Sequence, residues 1–254
     1  LAWASRGIGL EEQTKALASA IESIPTYDTY EGRPVVVLPE LESLQNREQM
    51  PVWDELVDTH GSVSGIFDFI RSALTIDGTQ PFLVGETSRI RPEWVAPYFY
   101  EGETLDEVLR STDAVQNGLL DPVRLSVEST DRDSIESTWI ENLTERIRLL
   151  RSFAEKHELE FVPRVSPGII TASRGCPPQH YLAREIDRFD SLLAYAARHA
   201  TTDRVSIDSF NNWRRGTQIQ PGTVRGTSYG EAYLEKVRAR SQEAPLSVRS
   251  PRDV

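Results

Sequence analysis

Short apolar runs alternate with longer amphipathic segments along most of the chain, and that alternation limits the folds open to it. Residues 33–42 (RPVVVLPELE) form a near-continuous apolar run after a glycine, as a strand buried on both faces requires. Residues 81–88 (PFLVGETS), 113–117, 159–168 (LEFVPRVSPG) and 204–210 (RVSIDSF) read as further strands. Between them lie helical periods. Leu17, Ala20 and Ile21 face one way in 10–23; Ile66, Phe69, Ile70 and Leu74 do so in 62–74. A short helix is expected near 103–110. The longest, 134–156, carries Trp139, Leu143, Ile147, Leu150 and Ala154 on one stripe, with Asp133 as its cap. In 181–200, Leu182, Ile186, Phe189, Leu193 and Ala196 face inward, and 228–240 opens on Ser228 and Glu231 as a capping box. Strands alternating with helices imply βαβ units on a parallel sheet.

The expected fold class is therefore α/β, a (β/α)8 TIM-type barrel over residues 1–240, with a polar, disordered tail over 241–254. Five strands are legible, fewer than the eight of a full barrel. The chain opens on Leu1 rather than Met, within what reads as structure, so the expectation is a barrel lacking its N-terminal strands. No signal peptide is visible, which favours the cytoplasm as far as the residues from Leu1 onward can tell.

Composition narrows the function. The net charge of −11 argues against nucleic acid as a partner. No apolar run is long enough to span a bilayer. The 28 basic residues include three Lys (Lys15, Lys156, Lys236), leaving 25 Arg. A Lys-poor, acidic chain fits adaptation to high salt, and a GC-rich genome would favour Arg as well. The single cysteine, Cys176, and four scattered histidines offer no metal-ligand spacing, and no cofactor is expected. Cys176, with no nearby histidine to act as a base, reads as a structural thiol.

Parallel α/β proteins bind ligands at the C-terminal ends of their strands. Five stretches qualify: 38–44 with Glu40 and Glu42, 85–91 with Glu86 and Arg89, 98–103 with Tyr98, Tyr100 and Glu101, 166–175 with Ser166 and Arg174, and 208–220. Aromatics among polar groups suit a sugar, whose ring has an apolar face and a hydroxyl rim. Trp213 or Tyr98 would stack on the face, while Asn212, Gln218 and Asp208 bond the rim. Structural readings stand beside these. Asp208 could satisfy a neighbouring backbone N–H, Glu86 could complement a helix dipole or join a salt bridge, and Trp53, Trp94, Tyr98 and Tyr100 could be packing residues.

The stretch SIDSFNNWRRGTQIQPGT, with YLEKVR after it, resembles a motif of glycoside hydrolase family 99 and its bacterial surface-polysaccharide relatives. That motif reads T-S-(F/Y/W)-N-E-W-x-E-G-T-x-I-E-P. YDTYEGRPVVVL and VPRVSPGI resemble other family segments, in the right order but less specifically. The resemblance implies a (β/α)8 barrel acting on α-mannosides or related glycans. It also implies catalysis by the motif's two glutamates, the first assisting attack by the sugar's own 2-hydroxyl, outside the usual two-carboxylate scheme. Here Asn212 and Arg215 occupy those two positions, and Gln220 that of the last glutamate, while Asn211, Trp213, Gly216, Thr217, Ile219 and Pro221 are kept. An amide is no base at neutral pH, and a guanidinium is not deprotonated.

Three expectations follow. The first is a carbohydrate-recognising protein without the family's acid/base pair, contacting glycan through Asn211, Asn212, Trp213, Arg215, Gln218 and Tyr98, with Arg214 or Arg215 clamping an anionic group. The second is an active glycoside hydrolase whose carboxylates are relocated to Glu86, Glu101 or Asp208. The third, by analogy with the bacterial relatives, is a partner in surface-polysaccharide biosynthesis.

Overall fold

The structure, a computed structural model, describes residues 9–39, 41, 52–87, 105–118, 132–171, 180–182, 184–208, 219–224, 227–228 and 230–243. They fall into two compact units. The first comprises residues 1–118 and 154–160; the second comprises 119–153 and 161–254.

In the first unit, helix α1 (Leu10–Ser23) leads to β1 (Thr29–Tyr30) and β2 (Arg33–Leu38). The two strands form an antiparallel hairpin, turning at Glu31 and Gly32, both at positive φ (50° and 78°). Two consecutive residues in that region are what a two-residue primed turn needs, and Gly32 adopts it without steric cost. Next come α2 (Val52–His60), α3 (Val63–Ala73), β3 (Phe82–Thr87), α4 (Leu105–Arg110) and β4 (Ala114–Asn117). Strands β2, β3 and β4 are parallel, in the register Leu38↔Gly85 and Glu86↔Gln116. With β5 (Glu160–Phe161) they complete a five-stranded sheet in the order β1-β2-β3-β4-β5. Every residue of β3 and β4 is buried, as expected of strands covered on both faces.

The helices of this unit depart from the sequence reading in detail. Ser62 caps α3, its hydroxyl accepting a 2.9 Å bond from the Gly65 amide. The buried stripe of α3 is Val63, Ile66, Phe67 and Ile70, so Phe67 takes the place expected of Phe69. Phe69 is half-buried and lies against the His60 ring, 4.6 Å between centroids. In α1 the buried residues are Leu10 and Thr14, with Leu17, Ala20 and Ile21 only half-buried. Thr14 is accommodated because its hydroxyl bonds back to the Leu10 carbonyl at 3.0 Å.

The second unit holds most of α5 (Arg132–Lys156), then β6 (Arg164–Val165), β7 (Ile169–Thr171), β8 (His180–Leu182), α6 (Ile186–His199), β9 (Ser206–Ile207), β10 (Thr223–Val224), β11 (Thr227–Ser228) and α7 (Ala232–Gln242). The stripe Trp139, Leu143, Ile147 and Leu150 of α5 is fully or almost fully buried, as its spacing predicts. Asp133 lies inside α5 rather than at its cap, since the helix begins at Arg132. Phe189, Leu192, Leu193 and Ala196 form the buried face of α6. Phe189 meets Tyr233 of α7 edge to face at 5.4 Å, and Arg240 and Lys236 of α7 both bond Asp190 of α6.

Three sequence expectations are corrected here. Residues 180–182 form β8, paired antiparallel with β7, so Leu182 belongs to a hairpin rather than to a helix starting at 181. The pairing with β7 outweighs the helical period, which resumes only at Ile186. Strand 159–168 is broken into β5 and β6 at Val162 and Pro163, because proline has no N–H for a ladder. Ser228 sits in β11, and the α7 cap is Glu231 without a side-chain capping bond, so no Ser228–Glu231 box forms. Helix α7 continues through Ser241 and Gln242.

Candidate functional site

Within the first unit, β3 and β4 end side by side on polar residues. Glu86 pairs in register with Gln116, and Thr87 with Asn117. All four are buried, Thr87 and Asn117 completely. Gln116 Nε2 donates to Glu86 Oε2 at 3.4 Å, and the Gly118 amide donates to the Thr87 carbonyl at 2.6 Å. Buried amides and carboxylates at the C-terminal end of parallel strands stand where such folds place their ligands. The opposite end of the same strands is structural. There Asp113 accepts from Arg33, Arg71 and the Leu83 amide at 2.7–2.9 Å.

Within the second unit, β6 and β9 are parallel neighbours, with Arg164 opposite Ser206 and Val165 opposite Ile207. The ladder continues one residue further, the Asp208 amide donating to the Val165 carbonyl at 2.9 Å. Alternation along a strand puts Arg164 and Ser166 on one face and Val165 on the other; Ser206 and Asp208 share the face of Arg164. Arg164 Nη2 donates to Asp208 Oδ1 at 2.7 Å. Asp208 is 7% exposed, and its other oxygen, Oδ2, is buried without a hydrogen-bond partner. Ser166, fully buried, bonds the Gly168 carbonyl and fixes the turn after β6.

Of the residues singled out in the sequence, Glu86 and Asp208 are thus located, each in its own unit. Tyr98, Glu101, Asn211, Asn212, Trp213, Arg214, Arg215 and Gln218 lie outside the described residues, as do Glu40, Glu42, Arg89, Tyr100, Arg174 and Cys176. The partner of Asp208 is a guanidinium and not the neighbouring backbone N–H that a structural reading of the sequence supplies. Ile219, just after the motif's central residues, is buried. Sequence reasoning missed Arg164, Gln116 and Asn117. For the last two a signal was present: paired amides closing an otherwise apolar strand. Among the described residues no group of His, Cys, Asp and Glu stands ready to hold a metal, and no helix is long and apolar enough to cross a membrane.

Comparison with known proteins adds the family context. Residues 138–243 match the model described as Glycosyl hydrolase family 99. Glycoprotein endo-alpha-1,2-mannosidase of Mus musculus is 36% identical over 80 residues, which are 31% of this chain and 17% of that protein. The Rattus norvegicus protein of the same name is 35% identical over 87 residues, 34% of this chain and 19% of that one. The stretches matched thus span less than a fifth of either mannosidase. The solved GH99 endo-alpha-mannosidase of Bacteroides thetaiotaomicron in complex with bis-tris-propane superposes with a TM-score of 0.56 at 16% identity, covering 93% of this chain and 68% of that one. A second structure of the Bacteroides enzyme gives a TM-score of 0.54 at 15% identity, covering 94% and 65%. At that identity the superposition speaks for the fold alone, and the sequence similarity is confined to the C-terminal part of the chain. Residues 138–243 of this chain are thus similar to glycoside hydrolase family 99, and the fold is part of a (β/α)8 barrel.

Proposed function

We propose that this chain recognises carbohydrate on its glycosidase-like scaffold without the acid/base pair of the motif it resembles. One observation carries the reading. Within 208–221 residues of the resembling motif are kept (Asn211, Trp213, Gly216, Thr217, Ile219 and Pro221), while Asn212 and Arg215 stand at the two glutamate positions. Neither can supply the roughly 10²–10⁴-fold that a positioned general acid or base contributes. Both remain good ligand groups: Asn212 can donate and accept toward hydroxyls, and Arg215 can hold a sugar carboxylate or sulfate with two parallel bonds. Trp213 offers a ring for the apolar face of a sugar, with Tyr98, Asn211 and Gln218 as further contacts.

The test compares the unmodified protein with its Asn212→Glu/Arg215→Glu variant on α-mannans and acidic glycans, with calorimetry for binding and mass spectrometry for products. The expected result is binding without cleavage by the unmodified protein. Cleavage by the unmodified protein would overturn the reading and direct attention to Glu86, Glu101 and Asp208 as the working carboxylates.

A further inference from the structure

The buried oxygen of Asp208 is an acceptor that the folded chain leaves unmatched. Its carboxylate is held at one end only, by Arg164 at 2.7 Å on Oδ1, while Oδ2 is buried without a partner. A buried carboxylate oxygen lacking a donor is costly, so positions of this kind call for an explanation in ligand or structure. Three features favour a ligand. Asp208 directly follows β9, at the C-terminal end of a parallel pair, where this fold class receives its ligands. It shares a strand face with Ser206, Ser166 and Arg164, opposite the apolar Val165. It is followed directly by the 209–218 stretch that carries the proposed sugar contacts.

We infer that Asp208 is a specificity-determining acceptor: Oδ2 takes a hydrogen bond from one sugar hydroxyl, and Arg164 fixes the carboxylate in the orientation that presents it. The inference rests on the carbohydrate-binding reading above and adds to it a requirement on the ligand. The sugar unit at Asp208 must bring a hydroxyl donor, because a ring carboxylate or sulfate would meet a like charge there. Arg164 acts as a positioning residue. Replacing it with methionine keeps the unbranched apolar stem but removes the guanidinium and releases Oδ1.

The experiment is titration calorimetry with α-1,2-mannobiose and a uronate-containing disaccharide, each with its set of monodeoxy analogues, against the unmodified chain, Asp208→Asn and Arg164→Met. Thermal unfolding of all three proteins runs alongside. One monodeoxy analogue should bind the unmodified chain roughly 10–100-fold more weakly, the range of a hydrogen bond to a charged group. Asp208→Asn should show a comparable loss for the parent sugar and should no longer distinguish that analogue. Arg164→Met should show a smaller loss for the same hydroxyl. Asp208→Asn binding within twofold of the unmodified chain, with discrimination intact, overturns the inference and leaves carbohydrate recognition standing. Uniform weakening across all analogues with a lowered unfolding temperature also overturns it, showing a structural carboxylate. No binding of either sugar by the unmodified chain removes the carbohydrate reading and this inference together.

Discussion

Arg33 and Asp113, 80 positions apart in the sequence, meet in a 2.8 Å ion pair at the N-terminal end of the first unit's parallel strands. Arg71 joins from α3 at 2.7 Å, and the Leu83 amide donates to the same carboxylate at 2.9 Å. One side chain therefore ties β2, α3 and β3 to the start of β4.

That knot has a pH signature. Burial pushes the Asp113 carboxyl up, but the Leu83 amide and the two guanidiniums together more than offset this and hold it below its ordinary 3.8. A carboxylate depressed in the folded state stabilises the fold at pH values above the unfolded pKa. That stabilisation is lost as pH falls through the lower, folded value. Asp113→Asn should cost about 2–4 kcal/mol at neutral pH, since it strands two partly buried cations. Unfolding temperatures of the two proteins should converge as pH drops below about 4. A gap unchanged down to pH 2 would contradict this account.

Gly85 predicts a packing limit. A Cβ built there lies 2.8 Å from Leu41 Cδ1 and 3.0 Å from Thr112 Cγ2. Gly85→Ala should destabilise by about 1–3 kcal/mol through overpacking. Thr112→Ser, which removes one of the two obstructing carbons while keeping the hydroxyl that bonds the Leu109 and Ala114 carbonyls, should recover part of the loss. Denaturant titration of the two single variants and the double variant would measure the coupling.

The α6–α7 contact should respond to salt. The Arg240 guanidinium and the Lys236 ammonium hold the Asp190 carboxyl below the usual carboxylate range, with Arg240 bonding both oxygens. The group is 22% exposed, so screening reaches it. Asp190→Asn should cost about 1 kcal/mol or less at low ionic strength, and the difference should shrink in 1 M salt. Melting temperatures at two salt concentrations decide the matter; a difference that grows with salt would be the wrong sign.

Trp213 carries the functional prediction. As a stacking platform, its replacement by alanine should weaken glycan binding about 10-fold or more with little change in unfolding temperature. A drop in stability with affinity per folded molecule unchanged would mark it as a packing residue instead.

The sequence was most readable where the signal is long and local. Trp139, Leu143, Ile147 and Leu150 repeat over several turns of α5, and all are buried. It was least readable where pairing decides. Residues 180–182 continue a helical period, yet they zip against 169–171 as a hairpin. In α3 Phe67 and Phe69 lie two positions apart and so on different faces, and periodicity alone assigned the wrong ring to the core. At the site, the glycosidase-like stretch was legible as a motif, but its supporting ion pair was not. Arg164 and Asp208 are 44 positions apart and meet only because β6 and β9 pair in parallel, which no local pattern announces. Gln116 and Asn117 were visible as polar residues, but their place beside Glu86 and Thr87 depends on the register of β3 and β4.

The fork at Arg33 bears on why this chain uses so little lysine. Its Nη2 reaches both the Pro81 carbonyl at 2.7 Å and Asp113, while Nε faces the Gln80 carbonyl at 3.3 Å. An ammonium, a point charge on a flexible stem, could not span those acceptors as a planar guanidinium does. At this position arginine answers to geometry rather than to codon usage, and the exchange for lysine that mutational surveys score as conservative would here untie a strand end.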